Sequence, residues 1–234
     1  TATSSTPDPT YHTLLHSLGM AVAFSDQSTP PSSFNSHCQI YHINSPQFHS
    51  APAVRYLPLA FPLTAHGTIR DNDALAYLSK TDGFRKLGIL KMDVDSLGKI
   101  FQTGLGNHAT FSRVSTLSTS LSLFFKGYVS YLIQNEYSSH LYLIFSGGDD
   151  VFVVGHWHRI LQFAFHLYRA FRTFCAYNPA ITLSAGVAIV NPRYPIIKAA
   201  MEAESLLDQA KYGEPYDGKT NRKNKIHLLG KTLT

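Results

Sequence analysis

Cysteine is scarce in this chain of 234 residues, since only Cys38 and Cys175 occur and they lie far apart in sequence. Two thiols cannot form a disulfide framework or a four-thiolate zinc site, so neither is expected to hold the fold together. The composition fits a reducing compartment. We therefore expect a cytoplasmic protein that is stabilised by a hydrophobic core, for which a hydrophobic content of 44% is sufficient.

The chain also has no long apolar run. No stretch approaches the roughly 20 residues that a bilayer span requires, and residues 1–9 are polar rather than signal-like. We expect no membrane association. The net charge of +5 is compatible with an anionic partner, but this mild excess does not amount to a basic arm.

Two regions of the chain differ in composition. The first 70 residues are rich in Ser, Pro, Thr and His, and Pro30-Pro31 interrupts their short apolar pieces. The strand-like pieces lie at residues 20–24, 39–43 and 53–57. We predict a small β-rich appendage over residues 1–70, followed by a connecting segment with a short helix around residues 74–80.

From residue 84 onward, the pattern alternates regularly between strands and helices. Strand-like runs occupy residues 87–92, 141–145, 151–154, 181–190 and 225–229, and helical stripes run from Val114 to Leu132, from Trp157 to Phe174 and from Pro195 to Ala210, with Gly213 as the closing residue. The order βαββαβ predicts a ferredoxin-like α+β sheet in which the first two strands are parallel and the third lies antiparallel between them. A further helix and strand complete a predicted domain over residues 84–234.

The tetrapeptide Gly147-Gly148-Asp149-Asp150 lies between two of these apolar runs. Two glycines permit a tight hairpin with positive φ, and two acids at its tip concentrate negative charge that a cation or a proton would relieve. Because side chains alternate along a strand, Asp149 and Asp150 should not point the same way. We expect one of them to be a direct metal ligand, and the other to bind a second metal, hydrogen-bond the turn or face solvent.

A second acidic motif, Asp93-Val94-Asp95, follows the first strand of the predicted sheet. In the predicted topology, this strand end and the glycine turn meet at one edge. Hard cations such as Mg²⁺ prefer carboxylate oxygens and take their remaining ligands from water and phosphate. The two motifs together predict a metal site for chemistry on a nucleotide, with Asp93 as the favoured ligand and Asp95 as the reserve.

Several blocks of sequence resemble a known family. The blocks are residues 91–101 (Lys-Met-Asp-Val-Asp-Ser-Leu-Gly-Lys-Ile-Phe), residues 145–150 (Phe-Ser-Gly-Gly-Asp-Asp), and Asn178-Pro179 with residues 181–186 (Ile-Thr-Leu-Ser-Ala-Gly). They are similar to the second palm domain of the large subunit of type III CRISPR effector complexes, and the Csm-type branch matches best. Residues 203–224 resemble the end of that palm and also the GGDEF nucleotide cyclases. Residues 40–44 are loosely similar to the small domain that precedes the palm, and the main similarity covers about residues 84–230.

The resemblance implies a cyclic oligoadenylate synthase, which joins ATP molecules through 3′-5′ bonds and releases pyrophosphate when its complex binds target RNA. It implies that the carboxylates of Asp93, Asp149 and Asp150 and the carbonyl of Val94 hold Mg²⁺ or Mn²⁺, and that the three acids are catalytic. The implied partners are ATP, the other subunits of a type III CRISPR complex with its guide RNA and target RNA, and a partner palm domain that faces this one.

The same resemblance implies that Ser146, Gly147 and Gly148 bind the nucleotide. Ser146 would hydrogen-bond an adenine or a phosphate, although its hydroxyl could equally cap the turn. Lys211 resembles a triphosphate-contacting lysine of the cyclases, and the alternative is an exposed lysine that interacts with a helix C-terminus. The basic residues from Arg222 onward either contact phosphate or form a solvated loop.

The chain also departs from the family pattern. The full family subunit usually carries an HD nuclease domain, a first palm, cysteine-bound zinc and a helical C-terminal domain, whereas no His-Asp dipeptide occurs in this sequence. We therefore do not expect single-stranded DNA cleavage from this chain. Two other functions stay open. The first is a GGDEF-type diguanylate cyclase, although Asp150-Val151 stands where that family has Glu-Phe. The second is a catalytically inert palm that serves as a ribonucleoprotein scaffold, against which the intact acids count.

Overall fold

The computed structural model describes residues 40–43, 54–57, 71–77, 84–212 and 223–233. Its strands are β1 (Ile40–Ile43), β2 (Val54–Leu57), β3 (Leu87–Val94), β4 (Leu141–Gly147), β5 (Asp150–His156), β6 (Leu183–Val190), β7 (Ile226–Leu228) and β8 (Lys231–Leu233). Its α-helices are α1 (Asn72–Leu75), α2 (Leu97–Lys99), α3 (Phe111–Ser122), α4 (Val129–Glu136), α5 (Trp157–Phe174) and α6 (Ile196–Tyr212). The chain divides into two units, Thr1–Ile40 and Tyr41–Thr234, and the candidate site lies within the second.

Six of the strands form one mixed sheet in the order β4-β5-β3-β6-β7-β8. Strand β5 pairs antiparallel with both β3 and β4, so that β3 and β4 run parallel on either side of it. This is the split arrangement that the sequence predicts, and the α+β palm-like fold class is confirmed. Strand β6 is antiparallel to β3, and β7 is parallel to β6. Strand β8, which the sequence pattern does not predict, pairs antiparallel with β7 at the edge of the sheet.

One face of the sheet packs on the helices that follow β3 and β5. Met92 of β3 is buried there together with the fully buried rings of Phe125 and Phe171. Burial of large apolar side chains is the main stabilising contribution to a fold of this kind, at about 25 cal/mol for each Å² removed from water. This core holds the strand ends in register, and the strand ends carry the candidate site.

The other face of the sheet is covered by α6, which approaches the strand backbone closely. A Cβ atom on Gly186 of β6 would lie 2.3 Å from the backbone nitrogen of Leu207 and 2.4 Å from the carbonyl oxygen of Ala203. Only a glycine permits so short a distance between helix and strand. The contact fixes α6, which carries Glu204 and Lys211, against the central strands.

The predicted helix from Val114 to Leu132 is present, but it is not a regular α-helix throughout. The helical stretch runs from Phe111 to Glu136, and its middle part, Leu123–Tyr128, is π-helical. A π-helical turn takes in an extra residue and often occurs at a functional site. The 3.6-residue spacing on which the prediction rests therefore does not hold through this segment.

In the earlier part of the chain, β1 and β2 pair in a separate two-stranded sheet. They agree to within one residue with the strands predicted there. The helix predicted around residues 74–80 is observed earlier, at Asn72–Leu75, because the Asp71 Oδ1 accepts a hydrogen bond from the Ala74 N–H at 2.7 Å and caps it.

Other expectations for the chain fall partly outside the described ranges. The strand predicted at residues 20–24 and the closing Gly213 lie outside them. The division into residues 1–70 and 84–234 stays a prediction. None of the helices in the described ranges has the length and apolar character needed to cross a bilayer.

Candidate metal and nucleotide site

Three carboxylates meet where β3 ends and where the β4–β5 turn begins. The ladder pairs Asp93 of β3 with Asp150 of β5, and Asp150 in turn with Gly147 of β4. Gly148 and Asp149 form the turn, and Gly148 has a φ of +65°, which a glycine adopts without strain. The convergence of the two acidic motifs follows from the strand order, as predicted from the sequence.

The carboxylates are close enough to share a cation. One oxygen each from Asp93, Asp149 and Asp150 lies within 4.8 Å of the other two. Oxygen ligands in such a cluster suit Mg²⁺ or Mn²⁺. Because successive side chains of a strand point to opposite faces, the sequence predicts that the side chains of Asp149 and Asp150 point in different directions. However, Asp149 lies in the turn rather than in the strand. The turn therefore allows both side chains to reach the same point.

The cluster concentrates negative charge. Burial raises the pKa of the Asp150 carboxyl, the neighbouring charges of Asp149 and then Glu204 raise it further, and Lys91 opposes this shift. A raised carboxyl pKa means that the charged form is unfavourable in the absence of a compensating cation. A divalent ion among the three acids would supply that compensation, so the donor set fits the predicted metal.

Lys211 reaches the cluster from the last turn of α6 and forms an ion pair with the Oδ2 atom of Asp93. The side chains are only 11% and 15% exposed, respectively, so the alternative of an exposed lysine at the helix end is wrong. Burial and, secondly, the charge of Lys223 lower the pKa of Lys211 to about 8.

Val94 is predicted to contribute its backbone carbonyl to the metal. Its side chain is buried in the core beneath the sheet and its position pairs with Leu183 of β6. Only the main chain of Val94 is therefore available for ligation. Its role as a ligand stays a prediction.

Ser146 does not point toward the turn. Its side chain is buried, and its hydroxyl donates a hydrogen bond of 2.6 Å to the carbonyl oxygen of Phe125 in the π-helical segment. The hydroxyl therefore neither caps the turn nor reaches a nucleotide, and the sequence-based role of its side chain is corrected. The cause is tertiary, because the π-helical segment lies against this strand.

The two glycines of the turn have different surroundings. A Cβ atom on Gly148 would meet nothing within 4 Å, so the space above the turn is open to a ligand. A Cβ atom on Gly147 would lie 3.4 Å from the Cε atom of Lys126. Lys126, which belongs to none of the sequence motifs, thus lies beside the turn.

Asp95 is a structural residue rather than a reserve metal ligand. It is 2% exposed, and its two oxygens accept hydrogen bonds from the Thr182 Oγ1 at 2.7 Å, the Ser184 Oγ at 2.8 Å and the Asn224 N–H at 2.9 Å. It therefore ties the end of β3 to β6 and to the segment that leads into β7. The polar positions Thr182 and Ser184, in an otherwise apolar strand, were the sequence signal for such a partner.

Further charged residues surround the acids. Lys223 donates a hydrogen bond of 2.6 Å to the Ser96 Oγ, just after the first acidic motif. Lys91 forms an ion pair with Glu204 of α6 and borders a cavity of about 160 Å³ that Asp150 also lines. Of the other basic residues proposed to contact phosphate, Lys225 is buried, and Arg222 lies outside the described residues.

The chain is similar to known proteins. A family model described as the second palm domain of Cas10/Cmr2 matches residues 86–226. A relative from Methanocaldococcus jannaschii, named CRISPR system single-strand-specific deoxyribonuclease Cas10/Csm1 (subtype III-A), is 46% identical over 167 residues, which cover 65% of this chain and 21% of the relative. The chain spans about a fifth of the length of the curated relatives that it matches.

Solved structures show the same fold. A crystal structure of a Csm1-Csm4 cassette in complex with cA3 has a TM-score of 0.66 and 26% identity, and the match covers 82% of this chain and 28% of that one. A structure of the cassette in complex with AMPPNP has a TM-score of 0.63 and 26% identity, with 80% and 27% covered.

Proposed function

The chain belongs to the Cas10/Cmr2 second palm domain family, and we propose that it is the metal-dependent nucleotidyltransferase palm of a type III CRISPR complex that converts ATP into cyclic oligoadenylates. The observation that carries this proposal is the convergence of Asp93, Asp149 and Asp150 beside Lys211. The structures of similar proteins with AMPPNP and with cA3 support an adenine nucleotide as substrate.

The reaction is a nucleotidyl transfer between two ATP molecules. The 3′-hydroxyl oxygen of one ATP attacks the α-phosphorus of the other and forms a new O3′–P bond. The bond from that phosphorus to the oxygen that bridges to the β-phosphate breaks, pyrophosphate leaves with the electron pair, and the hydroxyl proton passes to solvent. Repetition extends the chain, and the same step within one molecule closes the ring. The attacking and leaving oxygens are in line, so the work of the protein is positioning and charge stabilisation.

The residues that would hold Mg²⁺ or Mn²⁺ are the carboxylates of Asp93, Asp149 and Asp150, with the carbonyl of Val94. When bound, a divalent cation supplies charge neutralisation at the phosphates and acidifies the attacking hydroxyl. One carboxylate from the turn and one from each of the neighbouring strands β3 and β5 would present oxygens from different directions, which leaves positions for phosphate oxygens.

The remaining residues of the site bind and orient the substrate. The ammonium of Lys211 sits at the edge of the acid cluster, where it stabilises the negative charge of a triphosphate. The open space above Gly148 lets the nucleotide approach the main chain, since no side chain occupies it. Ser146 acts through the strand, because its bond to Phe125 holds the residues before the turn in place.

We further propose that this palm acts with a partner palm domain, with the other subunits of the complex and with its guide and target RNA. A ring of several nucleotides needs an acceptor site as well as a donor site, and a second palm would supply surface for both. The similarity to chains solved as a Csm1-Csm4 cassette supports such an assembly.

The function is tested by mass analysis of the products formed from ATP and Mn²⁺. The chain is incubated alone and in the assembled complex with target RNA, and a parallel reaction contains GTP. We expect oligoadenylates from ATP and no cyclic dinucleotide from GTP. Absence of adenylate products in both settings would overturn the proposal, and efficient turnover of GTP would favour the diguanylate cyclase.

Replacement of the two turn acids is the matching mutational prediction. Asp149→Ala with Asp150→Ala should abolish product, because only one carboxylate of the cluster remains, while the free energy of unfolding should stay within about 0.5 kcal/mol of the parent value or rise. The control is Glu202→Ala, which removes an exposed acid of α6 outside the cluster. If the double variant keeps the parent rate, the three acids are not the catalytic centre.

A further inference from the structure

The π-helical segment Leu123–Tyr128 lies against the catalytic turn from the side of the outer strand β4. The buried hydroxyl of Ser146 donates to the Phe125 carbonyl at 2.6 Å, which ties the segment to the strand just before the turn. Hydrogen bonds that are fully buried have well-defined geometry, since a broken one leaves unpaired groups at a cost of about 1–3 kcal/mol. The residue after Phe125 is Lys126, so the position of its backbone is fixed by the same contact.

The side chain of Lys126 extends onto the face of the sheet that carries the acids. Residues paired across an antiparallel ladder point their side chains to the same face, and the ladder pairs Gly147 with Asp150 and Asp150 with Asp93. The Cε atom of Lys126 lies 3.4 Å from the place of a Cβ atom on Gly147. Its ammonium, one bond further on, therefore lies beside the turn that leads from Gly147 to Asp149 and Asp150.

The lysines around the cluster fall on two sides of it. Lys211 contacts Asp93 and Lys223 contacts Ser96, both at the β3 end of the site. Lys126 lies at the β4 end, with Asp150 of β5 between the two sides. Among the residues that the structure describes, no carboxylate forms an ion pair with Lys126, whereas Lys91 and Lys211 are each paired.

In nucleotidyl transfer, the two sides of the site would bind different parts of the substrates. The leaving pyrophosphate and the attacking 3′-oxygen lie on opposite sides of the reacting phosphorus. If the donor triphosphate extends toward Lys211, the β4 side of this palm is the part left for the acceptor, in addition to the surface that a partner palm would supply. A nucleotide or short oligoadenylate that enters there brings its own phosphates, which need a cation.

We propose that Lys126 binds a phosphate of the acceptor, the molecule whose 3′-hydroxyl attacks, and that Ser146 is a positioning residue that sets Lys126 through the π-helical segment. The proposal rests on the nucleotidyltransferase function proposed above. It divides the site into a donor side at Lys211 and an acceptor side at Lys126.

A chain-terminating assay separates the two sides. The acceptor is a 5′-monophosphorylated diadenylate, which has no pyrophosphate to release and so cannot act as a donor. The donor is 3′-deoxyATP, which has no 3′-hydroxyl and so cannot act as an acceptor. One addition therefore takes place, and one pyrophosphate is released. The assembled complex is used, and KM is measured for each substrate with the other at saturation. Lys126→Gln keeps most of the side-chain stem but loses the charge, Lys126→Arg keeps the charge, and Lys198→Gln is the control for loss of an exposed lysine on α6.

We expect Lys126→Gln to raise the KM for the diadenylate about tenfold, the usual effect of losing one charge-assisted hydrogen bond. For the chain-terminating donor, the KM should change less than twofold, and Lys126→Arg should restore most of the loss. Ser146→Ala should raise the diadenylate KM in the same direction. A purely structural role would not separate the two KM values.

The outcomes distinguish this inference from the function on which it rests. If the parent protein forms no product, the nucleotidyltransferase proposal fails. If the parent is active and Lys126→Gln leaves the diadenylate KM unchanged, the acceptor role is overturned and the function stands. An equal rise in both KM values also overturns it, because Lys126 would then not distinguish acceptor from donor.

Discussion

At the scale of single residues, the two acids of the Asp-Val-Asp motif have opposite roles. Asp93 faces the cluster with Asp149 and Asp150, whereas Asp95 is buried and accepts hydrogen bonds from three donors. The difference follows from the end of the strand, since Asp95 lies beyond β3 and turns toward the loop before β7. One short motif thus supplies both a candidate ligand and a structural anchor.

Removal of Asp95 should therefore cost stability. Asp95→Ala leaves the hydroxyls of Thr182 and Ser184 and the N–H of Asn224 without their acceptor, and we expect a loss of about 2–4 kcal/mol in the free energy of unfolding. Asp95→Asn keeps one acceptor oxygen and should lose about 1 kcal/mol. Urea denaturation measures both.

The matched control for Asp95 is Asp208→Ala, which removes an exposed carboxylate and should change the free energy of unfolding by less than about 0.5 kcal/mol. An Asp95→Ala variant that is as stable as the parent would contradict this prediction, because it would show that the hydrogen bonds of Asp95 do not stabilise the fold.

The sequence predicts the position of a residue correctly where that position depends on the periodic pattern of apolar residues in strands and helices. Asp93 and the Gly147 turn could be brought together because strand order follows from the βαββαβ pattern. The sequence does not predict the directions of the Ser146 and Lys126 side chains. Both directions depend on the π-helical segment, and such a segment has no sequence signature. Lys211 was found only by resemblance, since the exposure of a residue in the last turn of a helix depends on what that turn packs against.

At the scale of elements, the packing of α6 on β6 controls the site. The absence of a side chain at Gly186 allows the helix to touch the strand backbone, and the same helix carries Lys211 and Glu204 to the acids. Any shift of the helix away from the sheet would move both side chains together. The positions of Lys211 and Glu204 at the acids therefore depend on the packing of α6 against β6.

Gly186→Ala tests that coupling. The new methyl group would lie 2.3 Å from the Leu207 nitrogen and 2.4 Å from the Ala203 oxygen, and backbone atoms cannot move aside independently. We expect a loss of about 3 kcal/mol in the free energy of unfolding, at the upper end of overpacking effects, together with a reduced rate. Thermal and urea denaturation measure the first effect, and the ATP assay measures the second.

The control for this variant is Gly98→Ala in α2, where a Cβ atom would meet nothing within 4 Å. It should be neutral or slightly stabilising, because alanine favours a helix more than glycine does. Equal stability of the two variants would contradict the close approach of α6 to β6.

At the scale of the whole molecule, the stability of the chain should depend on pH through its far sheet edge. His227 of β7 is buried, and its Nδ1 lies 2.7 Å from the Thr232 Oγ1 of β8. Burial lowers the pKa of His227 below its ordinary value of 6.5. The unfolded chain therefore takes up the proton first as pH falls, and folding loses free energy below about pH 6.5.

Urea denaturation between about pH 7.5 and pH 5 measures this dependence on the parent and on His227→Gln. Because the neutral imidazole is the form favoured by folding, the contribution is fully present above about pH 6.5 and is lost as pH falls toward the lowered pKa. The variant should show a shallower decrease than the parent over this range. Parallel curves for the two proteins would show that His227 is not the group responsible.

If the site binds metal and nucleotide as proposed, the ion pair between Lys211 and Asp93 would make the binding of the two ligands cooperative. Each charge neutralises the other, so a cation that takes Asp93 releases Lys211, and a phosphate that takes Lys211 releases Asp93. Separation of the ion pair costs free energy only once when both ligands bind, whereas each ligand that binds alone must offset the whole cost. By linkage, each ligand strengthens the affinity for the other by the same factor. On the proposed function, the metal affinity measured without nucleotide should therefore be lower than the metal affinity measured with nucleotide bound.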